Sequence, residues 1–247
     1  MATLIFDIET VGEEWTEIDT YTQSQLTKWI PVQTDNERER RRLEDQVKDR
    51  LGLSPLTGQI ITIGVYDLER DQGVVYYLND IESKTEKSNW LFKTKTSEAD
   101  LLREFWEGAE AYDKFVSFNG RSFDVPFLNH RSLVYGIKPS KNLLEGRYPS
   151  QQKTCRHVDL MDVFTFYGAM SRRPSLHLLC RAYGIASPKE LLDGSEIQGT
   201  FAEGQGEEIA NYNQADLLAT AALYERSQLL PTLPVLDYDS DEGLFDL

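Results

Sequence analysis

The chain has 247 residues, 40% of them hydrophobic, which suits one large α/β domain, or one domain with a sizeable insertion, that builds its own core. It shows no run of about eighteen apolar residues, no signal-peptide pattern and only two cysteines, Cys155 and Cys180, so we expect free thiols, a cytoplasmic setting and no membrane. The net charge of −15 argues against tight nonspecific nucleic-acid binding but does not exclude it, because a carboxylate site loaded with divalent cations would attract phosphate.

The first elements are a strand and a polar segment. Residues 2–8 are apolar and rich in strand formers, which predicts a buried strand that ends at Asp7-Ile8-Glu9. Residues 13–55 are polar, and their mixed charges at helical spacing predict an exposed helix through about residue 51. We interpret this segment as an insertion whose charges form either a solvated helix face or a basic edge that contacts a nucleic-acid backbone.

Strands and helices then alternate along the chain. The predicted strands are residues 59–66, 73–78, 114–118 and 156–159, and the predicted helices start at Ser97 or cover about 125–135, 160–168, 175–183 and 207–229. This order predicts an α/β fold with a mixed sheet flanked by helices. No Gly-rich turn follows the first strand, so we do not expect a dinucleotide-binding fold. Residues 231–247 are acidic after Pro231, and we expect them to form a disordered tail.

Asp7 and Glu9 are the first candidate site residues. Side chains alternate along a strand, so these two carboxylates share one face while Ile8 points to the opposite layer. Two carboxylates on one face repel each other, and a divalent cation would remove that conflict. Hard oxygen ligands favour Mg²⁺ or Mn²⁺ over zinc. The alternative is a pair of solvated acids at a strand end.

Two further acidic residues occupy positions that packing alone does not explain. Asp124 follows an Asn-Gly turn and begins a helix, so it is either a metal ligand or a helix cap, roles that are not exclusive. Tyr212 and Asp216 are four residues apart and share a helix face that is otherwise apolar. Asp216 therefore needs a metal, a cation or a cap, unless it lies partly exposed at the edge of that face.

Taken together, these motifs resemble the DEDD superfamily of 3′–5′ exonucleases in its tyrosine-containing branch, and within it the proofreading domain of family B DNA polymerases and stand-alone relatives. The matching segments are Asp7-Ile8-Glu9-Thr10, Asn119 with Phe123-Asp124-Val125-Pro126-Phe127-Leu128, and Tyr212 with Asp216. The resemblance covers about residues 2–228 and implies a ribonuclease H-like exonuclease domain over residues 1–230. The insertion at about 13–55 and the tail at 231–247 are departures from the family pattern.

The resemblance also implies a role for each matching residue. Two Mg²⁺ or Mn²⁺ ions about 3.5–4 Å apart would be held by Asp7, Glu9, Asp124 and Asp216. Tyr212 would orient the attacking water, because a phenol of pKa near 10 is a poor base at neutral pH. The implied substrate-binding residues are Thr10, Asn119, Phe123, Arg172 and Arg173, with Phe123 either stacking on a base or packing in the core.

The implied reaction removes nucleoside 5′-monophosphates from single-stranded 3′ ends, with DNA favoured over RNA. The alternatives are a 3′–5′ exoribonuclease, or a non-catalytic nucleic-acid-binding or docking module on the same fold, which would be expected to lack some carboxylates. Residues 237–247 are either a plain tail, a docking peptide for a protein partner or an autoinhibitory mimic of nucleic acid. Four other residues with ligand-type side chains are interpreted as structural, namely His157, Asp159, Asp162 and His177.

Overall fold

A computed structural model describes residues 2–30, 37–187 and 194–231. Its strands are β1 (Thr3–Gly12), β2 (Gly58–Asp67), β3 (Gln72–Leu78), β4 (Lys84–Lys87), β5 (Trp90–Lys95), β6 (Lys114–Ser117) and β7 (Arg156–Asp159). Its α-helices are α1 (Thr20–Thr27), α2 (Glu37–Lys48), α3 (Glu98–Ala109), α4 (Asp124–Val134), α5 (Leu160–Phe164), α6 (Leu176–Tyr183), α7 (Ile197–Ala202) and α8 (Gly206–Ser227).

All seven of these strands form one mixed sheet in the order β4-β5-β3-β2-β1-β6-β7. Strand β1 pairs antiparallel with β2 and parallel with β6, so it lies inside the sheet with neighbours on both sides. Helices cover both faces. This arrangement confirms the predicted α/β class with a mixed sheet flanked by helices.

The alternation of side chains along β1 separates two core layers. Leu4, Phe6 and Ile8 pack in the cluster that contains the apolar residues of α3 and α4. Ile5 lies in the other cluster, with the apolar residues of α5, α6 and α8. Because residues of like parity share a face, Asp7 follows Ile5 on the side of the sheet that α8 covers. The prediction that Ile8 faces the opposite layer is therefore confirmed.

Most predicted elements are present, with differences of a few residues at their ends. Strands β4 and β5 and helices α1 and α7 were not predicted. Strand β4 is exposed at all four positions, so it lacks the apolar alternation from which strands are recognised. The predicted tail lies outside the described residues from 232 onward and stays a prediction. Within the ranges that are described, no helix combines the length and apolarity that crossing a bilayer requires.

A buried ion pair joins β2, α3 and α4 on the side of the sheet away from α8. Glu98, the first residue of α3, is buried and accepts hydrogen bonds from Arg131 Nη2 at 2.7 Å and from the Ile60 amide at 2.7 Å. Arg131 belongs to α4, the helix that begins at Asp124. The pair therefore helps to fix the position of α4 against the sheet.

We expect Arg131→Ala to lower the free energy of unfolding by about 3–5 kcal/mol, because it leaves the buried Glu98 carboxylate without its cation. The matched control is Arg103→Ala, which breaks an exposed ion pair with Asp100 on α3. This variant is expected to lower the free energy of unfolding by less than about 1 kcal/mol. Urea unfolding monitored by circular dichroism measures both. Equal losses of unfolding free energy in the two variants would show that burial of the Glu98–Arg131 pair does not increase its contribution to stability.

Candidate active site

Three carboxylates meet where β1 passes beneath α8. Asp7 and Glu9 come from β1 and are half-buried, and Asp216 comes from α8 and is buried. One carboxylate oxygen from each residue lies within 4.8 Å of the others. Asp124 lines the same cavity, whose volume is about 200 Å³. The four carboxylates singled out from the sequence thus border one cavity.

The side chain of Asp124 contacts β1. Its Oδ1 accepts a hydrogen bond from the Ile8 amide at 3.2 Å, across 116 residues of sequence. Asp124 is the first helical residue of α4, and the N-cap position belongs to Phe123, which provides no side-chain cap. The alternative interpretation of Asp124 as a simple helix cap is therefore wrong. Its carboxylate joins α4 to the strand that carries Asp7 and Glu9.

These carboxylates share the site without a cationic side chain. Over residues 2–30, 37–187 and 194–231, none of the four forms a salt bridge. Burial raises the pKa of both Asp124 and Asp216 to about 7. Burial and then the neighbouring acids raise the pKa of Asp7 and Glu9 well above their usual range. An all-oxygen donor set that lacks a counter-charge fits a hard divalent cation such as Mg²⁺ or Mn²⁺.

Tyr212 lies one helical turn before Asp216 and is buried. It packs with Val11 and Ile61 of the neighbouring strands. Burial and the negative charge of Asp216 raise the pKa of the Tyr212 phenol above its usual range, so the hydroxyl is protonated at neutral pH. The same hydroxyl lies next to the Asp216 carboxylate. Tyr212 can thus donate a hydrogen bond in the site but is not suited to remove a proton.

Asn119 and Phe123 line the cavity, and their binding of substrate stays a prediction. Asn119 has a left-handed backbone (φ 64°), and its side-chain Oδ1 is buried without a hydrogen-bond partner. The ring of Phe123 packs against Phe127, with 5.0 Å between ring centroids, while part of the side chain still faces the cavity. Phe123 therefore packs in the core, and its stacking on a base stays a prediction.

The other three predicted substrate-binding residues lie at the margin of the site. Thr10 follows Glu9 after a shift in strand register, and its hydroxyl donates to the Gly52 carbonyl at 2.7 Å. Arg172 and Arg173 are exposed, and Arg173 Nη2 donates to Ser122 Oγ at 3.3 Å, two residues before Asp124. The structure does not bring these three side chains into the group of carboxylates.

The residues interpreted as structural have partners that agree with that interpretation. Asp159 accepts from the amides of Asn119 and Arg121 and so holds the loop that precedes Asp124. His157 is buried between Ser117 Oγ and the Leu143 carbonyl, and burial lowers its pKa to about 4. The remaining contacts join Asp162 to Arg147 and His177 to Ser187.

Asn213 and Gly64 are functional candidates that the sequence analysis missed. Asn213 is fully buried, and its Nδ2 donates to Asp7 Oδ2 at 2.8 Å and to Glu9 Oε1 at 3.5 Å. A Cβ atom on Gly64 would lie 1.9 Å from Asn213 Oδ1, so only glycine leaves room for this amide. The available sequence signals are a polar residue directly after Tyr212 and a glycine within a strand of β-branched residues.

We expect Gly64→Ala to weaken Mn²⁺ binding by about 10–100-fold, because the added methyl displaces Asn213 from Asp7 and Glu9. Isothermal titration calorimetry with Mn²⁺ measures the affinity, and Asn213→Ala provides a second variant that leaves β2 intact. Gly108→Ala is the control, since a Cβ there meets nothing within 4 Å. Wild-type Mn²⁺ affinity in folded Gly64→Ala and Asn213→Ala would contradict a positioning role for Asn213.

We also expect the metal-free protein to lose stability as the pH rises from about 4 to about 7. The folded pKa of Asp216, about 7, lies above the unfolded value of about 3.9. The native state therefore binds more protons in this window, and the free energy of unfolding falls with rising pH. In EDTA, the fall should be smaller for Asp216→Asn than for wild type, and Mn²⁺ should reverse it in wild type. Identical pH profiles would contradict the raised pKa.

Comparison with known proteins places the chain among polymerase-related exonucleases. Residues 56–240 match the family described as predicted 3′–5′ exonucleases related to the exonuclease domain of PolB. DNA polymerase 1 of Sulfurisphaera ohwakuensis is 23% identical over an alignment 181 residues long, which covers 64% of this chain and 19% of that protein. The family B DNA polymerase of Pyrobaculum calidifontis matches with a TM-score of 0.54 and 15% identity over 91% of this chain and 24% of that chain.

The structural likeness confirms the fold, a ribonuclease H-like mixed sheet with flanking helices. The chain spans only 19% and 24% of the lengths of these two polymerases, so each comparison concerns one part of a larger protein. The family match includes Asp124, Tyr212 and Asp216, whereas β1 with Asp7 and Glu9 lies before it. Because that match covers more than half of the chain, the chain belongs to the family of predicted 3′–5′ exonucleases related to the exonuclease domain of PolB.

Proposed function

We propose that the chain is a metal-dependent 3′–5′ exonuclease that hydrolyses the terminal phosphodiester bond of single-stranded nucleic acid and releases nucleoside 5′-monophosphates. The observation that carries this proposal is the meeting of Asp7, Glu9 and Asp216 within 4.8 Å, without a cationic partner among the described residues. Membership in a family of predicted 3′–5′ exonucleases indicates which reaction this cluster would catalyse. DNA is favoured over RNA because both relatives named above are DNA polymerases; a 3′–5′ exoribonuclease is the alternative.

The carboxylates would hold the metal ions. Asp7, Glu9 and Asp216 form the closest group, and Asp124 borders the same cavity as a fourth ligand. When bound, two Mg²⁺ or Mn²⁺ ions would supply positive charge that activates a water and stabilises the leaving 3′ oxygen. Asn213 would act as a positioning residue, because its two hydrogen bonds hold the carboxylates of Asp7 and Glu9 in place.

Other residues orient the reactants. The protonated hydroxyl of Tyr212 would direct the attacking water, since its raised pKa prevents it from acting as a base. Asn119 and Phe123 would form the wall against which the terminal nucleotide rests, together with Leu176.

The margin of the site would contact the rest of the strand. Arg172 and Arg173 are exposed beside the loop that leads to Asp124 and would bind phosphate groups there. Thr10 has its hydroxyl bound to Gly52, so we propose that it meets substrate through its backbone. Residues 1–230 would act as one exonuclease domain, and residues 237–247 would serve as a docking element for a protein partner.

The test uses single-stranded DNA and RNA oligomers labelled at either the 5′ or the 3′ end. With Mn²⁺, we expect stepwise shortening of the 5′-labelled DNA and release of the 3′ label as a mononucleotide, and no reaction in EDTA. Asp7→Asn should lower kcat at least about a hundredfold, because it removes a negatively charged ligand of the metal ions that would stabilise the reacting phosphate.

Asp80→Asn is the control for that variant, because Asp80 is an exposed acid away from the cavity. Hydrolysis that survives EDTA, or equal rates for wild type and Asp7→Asn, would contradict the metal-dependent mechanism. Release of the 5′ label as a mononucleotide would contradict the proposed direction. Faster digestion of RNA than of DNA would establish the alternative substrate.

A further inference from the structure

A group of large side chains, most of them exposed, flanks Asp162, a buried acid whose ion pairs reach the loop before Asp124. We call Arg147, Tyr148, Phe166, Tyr167 and Met170 the aromatic patch. Phe166 is 56% exposed, Met170 is 44% exposed and Tyr148 is 42% exposed. The rings of Tyr148 and Tyr167 contact each other, with centroids 5.2 Å apart. Large apolar side chains grouped at the surface indicate a binding surface.

The backbone of the aromatic patch is strained. Phe166 and Tyr167 have φ angles of 50° and 54°, in the left-handed region that bulky residues avoid because of steric strain. The Thr165 carbonyl holds this turn by accepting from the amides of Gly168 at 3.1 Å and Met170 at 2.9 Å. A glycine would adopt the same backbone without strain. The presence of two aromatic residues here therefore indicates that their rings have a function.

An ion-pair chain connects the aromatic patch to the active-site loop. Asp162 is buried and receives Arg147 Nη2 at 2.6 Å, and its other oxygen lies 4.0 Å from Arg121 Nε. Arg121 belongs to the loop between Asn119 and Asp124, both of which line the cavity. The guanidinium of Arg147 remains about half exposed. Arg147 of the patch is therefore linked through Asp162 to the loop that borders the proposed site of hydrolysis.

We propose that the aromatic patch binds, by base stacking, the nucleotides that lie on the 5′ side of the bond to be cut, with Phe166 as the main platform. This proposal rests on the proposed exonuclease function. Aromatic rings stack on any base of a single strand, because every base has a π-face. A chain with a net charge of −15 gains little from long-range attraction of phosphate, so uncharged stacking beside a fixed arginine is a suitable way to hold the strand.

Steady-state kinetics on two DNA substrates test the aromatic patch. One is a dinucleotide and the other is an oligomer of about ten nucleotides, and on this proposal only the longer substrate contacts the patch. We expect Phe166→Gly to raise KM for the longer substrate about tenfold or more, with kcat unchanged and the dinucleotide unaffected. Its Tm should be equal to or higher than that of wild type, because glycine relieves the left-handed strain.

Two further variants make the result specific to stacking. Phe166→Trp retains a large ring and should keep the KM of wild type for the longer substrate. Tyr21→Ala removes an aromatic ring that is 72% exposed on α1 and should change neither substrate. An equal rise in KM for both substrates, or no rise in Phe166→Gly, would overturn the proposal, and the second result would point to a protein partner for the patch.

Failure of the proposed function would be visible separately. If wild type hydrolyses neither substrate, the exonuclease proposal fails, and the aromatic patch is then tested by binding alone. Fluorescence anisotropy with a labelled oligomer of about ten thymidines, in Ca²⁺, should show at least about tenfold weaker binding by Phe166→Gly than by wild type. Equal binding by the two proteins would overturn the stacking role of Phe166.

Discussion

Repulsion among four carboxylates is the constraint around which this molecule is organised. Asp7, Glu9, Asp124 and Asp216 surround one cavity, and burial together with mutual repulsion opposes their ionisation. A fold that only had to be stable would not collect these groups without a cation. The surrounding structure therefore has to hold them together rigidly, and a divalent metal ion would supply the positive charge that the described residues do not provide at this cavity.

The fold provides that rigidity through elements that are far apart in sequence. Strand β1 is held between β2 and β6, and its alternation directs Asp7 toward α8 while Ile8 anchors the opposite layer. Gly64 leaves room for Asn213, whose amide bridges Asp7 and Glu9. On the other side of the sheet, the buried Glu98–Arg131 pair fixes α4, and α4 begins with Asp124. Asp7 and Glu9 thus depend on one packing interaction, and Asp124 depends on another.

Much of this arrangement was predictable from local patterns. The alternation of β1 places Asp7 and Glu9 on one face, and the four-residue spacing of Tyr212 and Asp216 places both on one side of α8. Other features depend on contacts between distant segments and leave no local pattern. The bond from Ile8 to Asp124 spans 116 residues, and the fit of Asn213 against Gly64 appears only when α8 packs on β2. Phe166 and Tyr167 are left-handed although neither is glycine or asparagine, so the sequence did not indicate their conformation.

The most direct test of the account is to locate a bound metal ion. Crystals grown with Mn²⁺ and measured near the manganese absorption edge give anomalous peaks that identify the ion and its ligands. The account predicts manganese bound by carboxylate oxygens of Asp7, Glu9 and Asp216, at distances typical of hard divalent cations, about 2.0–2.2 Å. Fully ordered Asp7 and Glu9 side chains with no manganese between them, in crystals that bind the ion elsewhere, would contradict it.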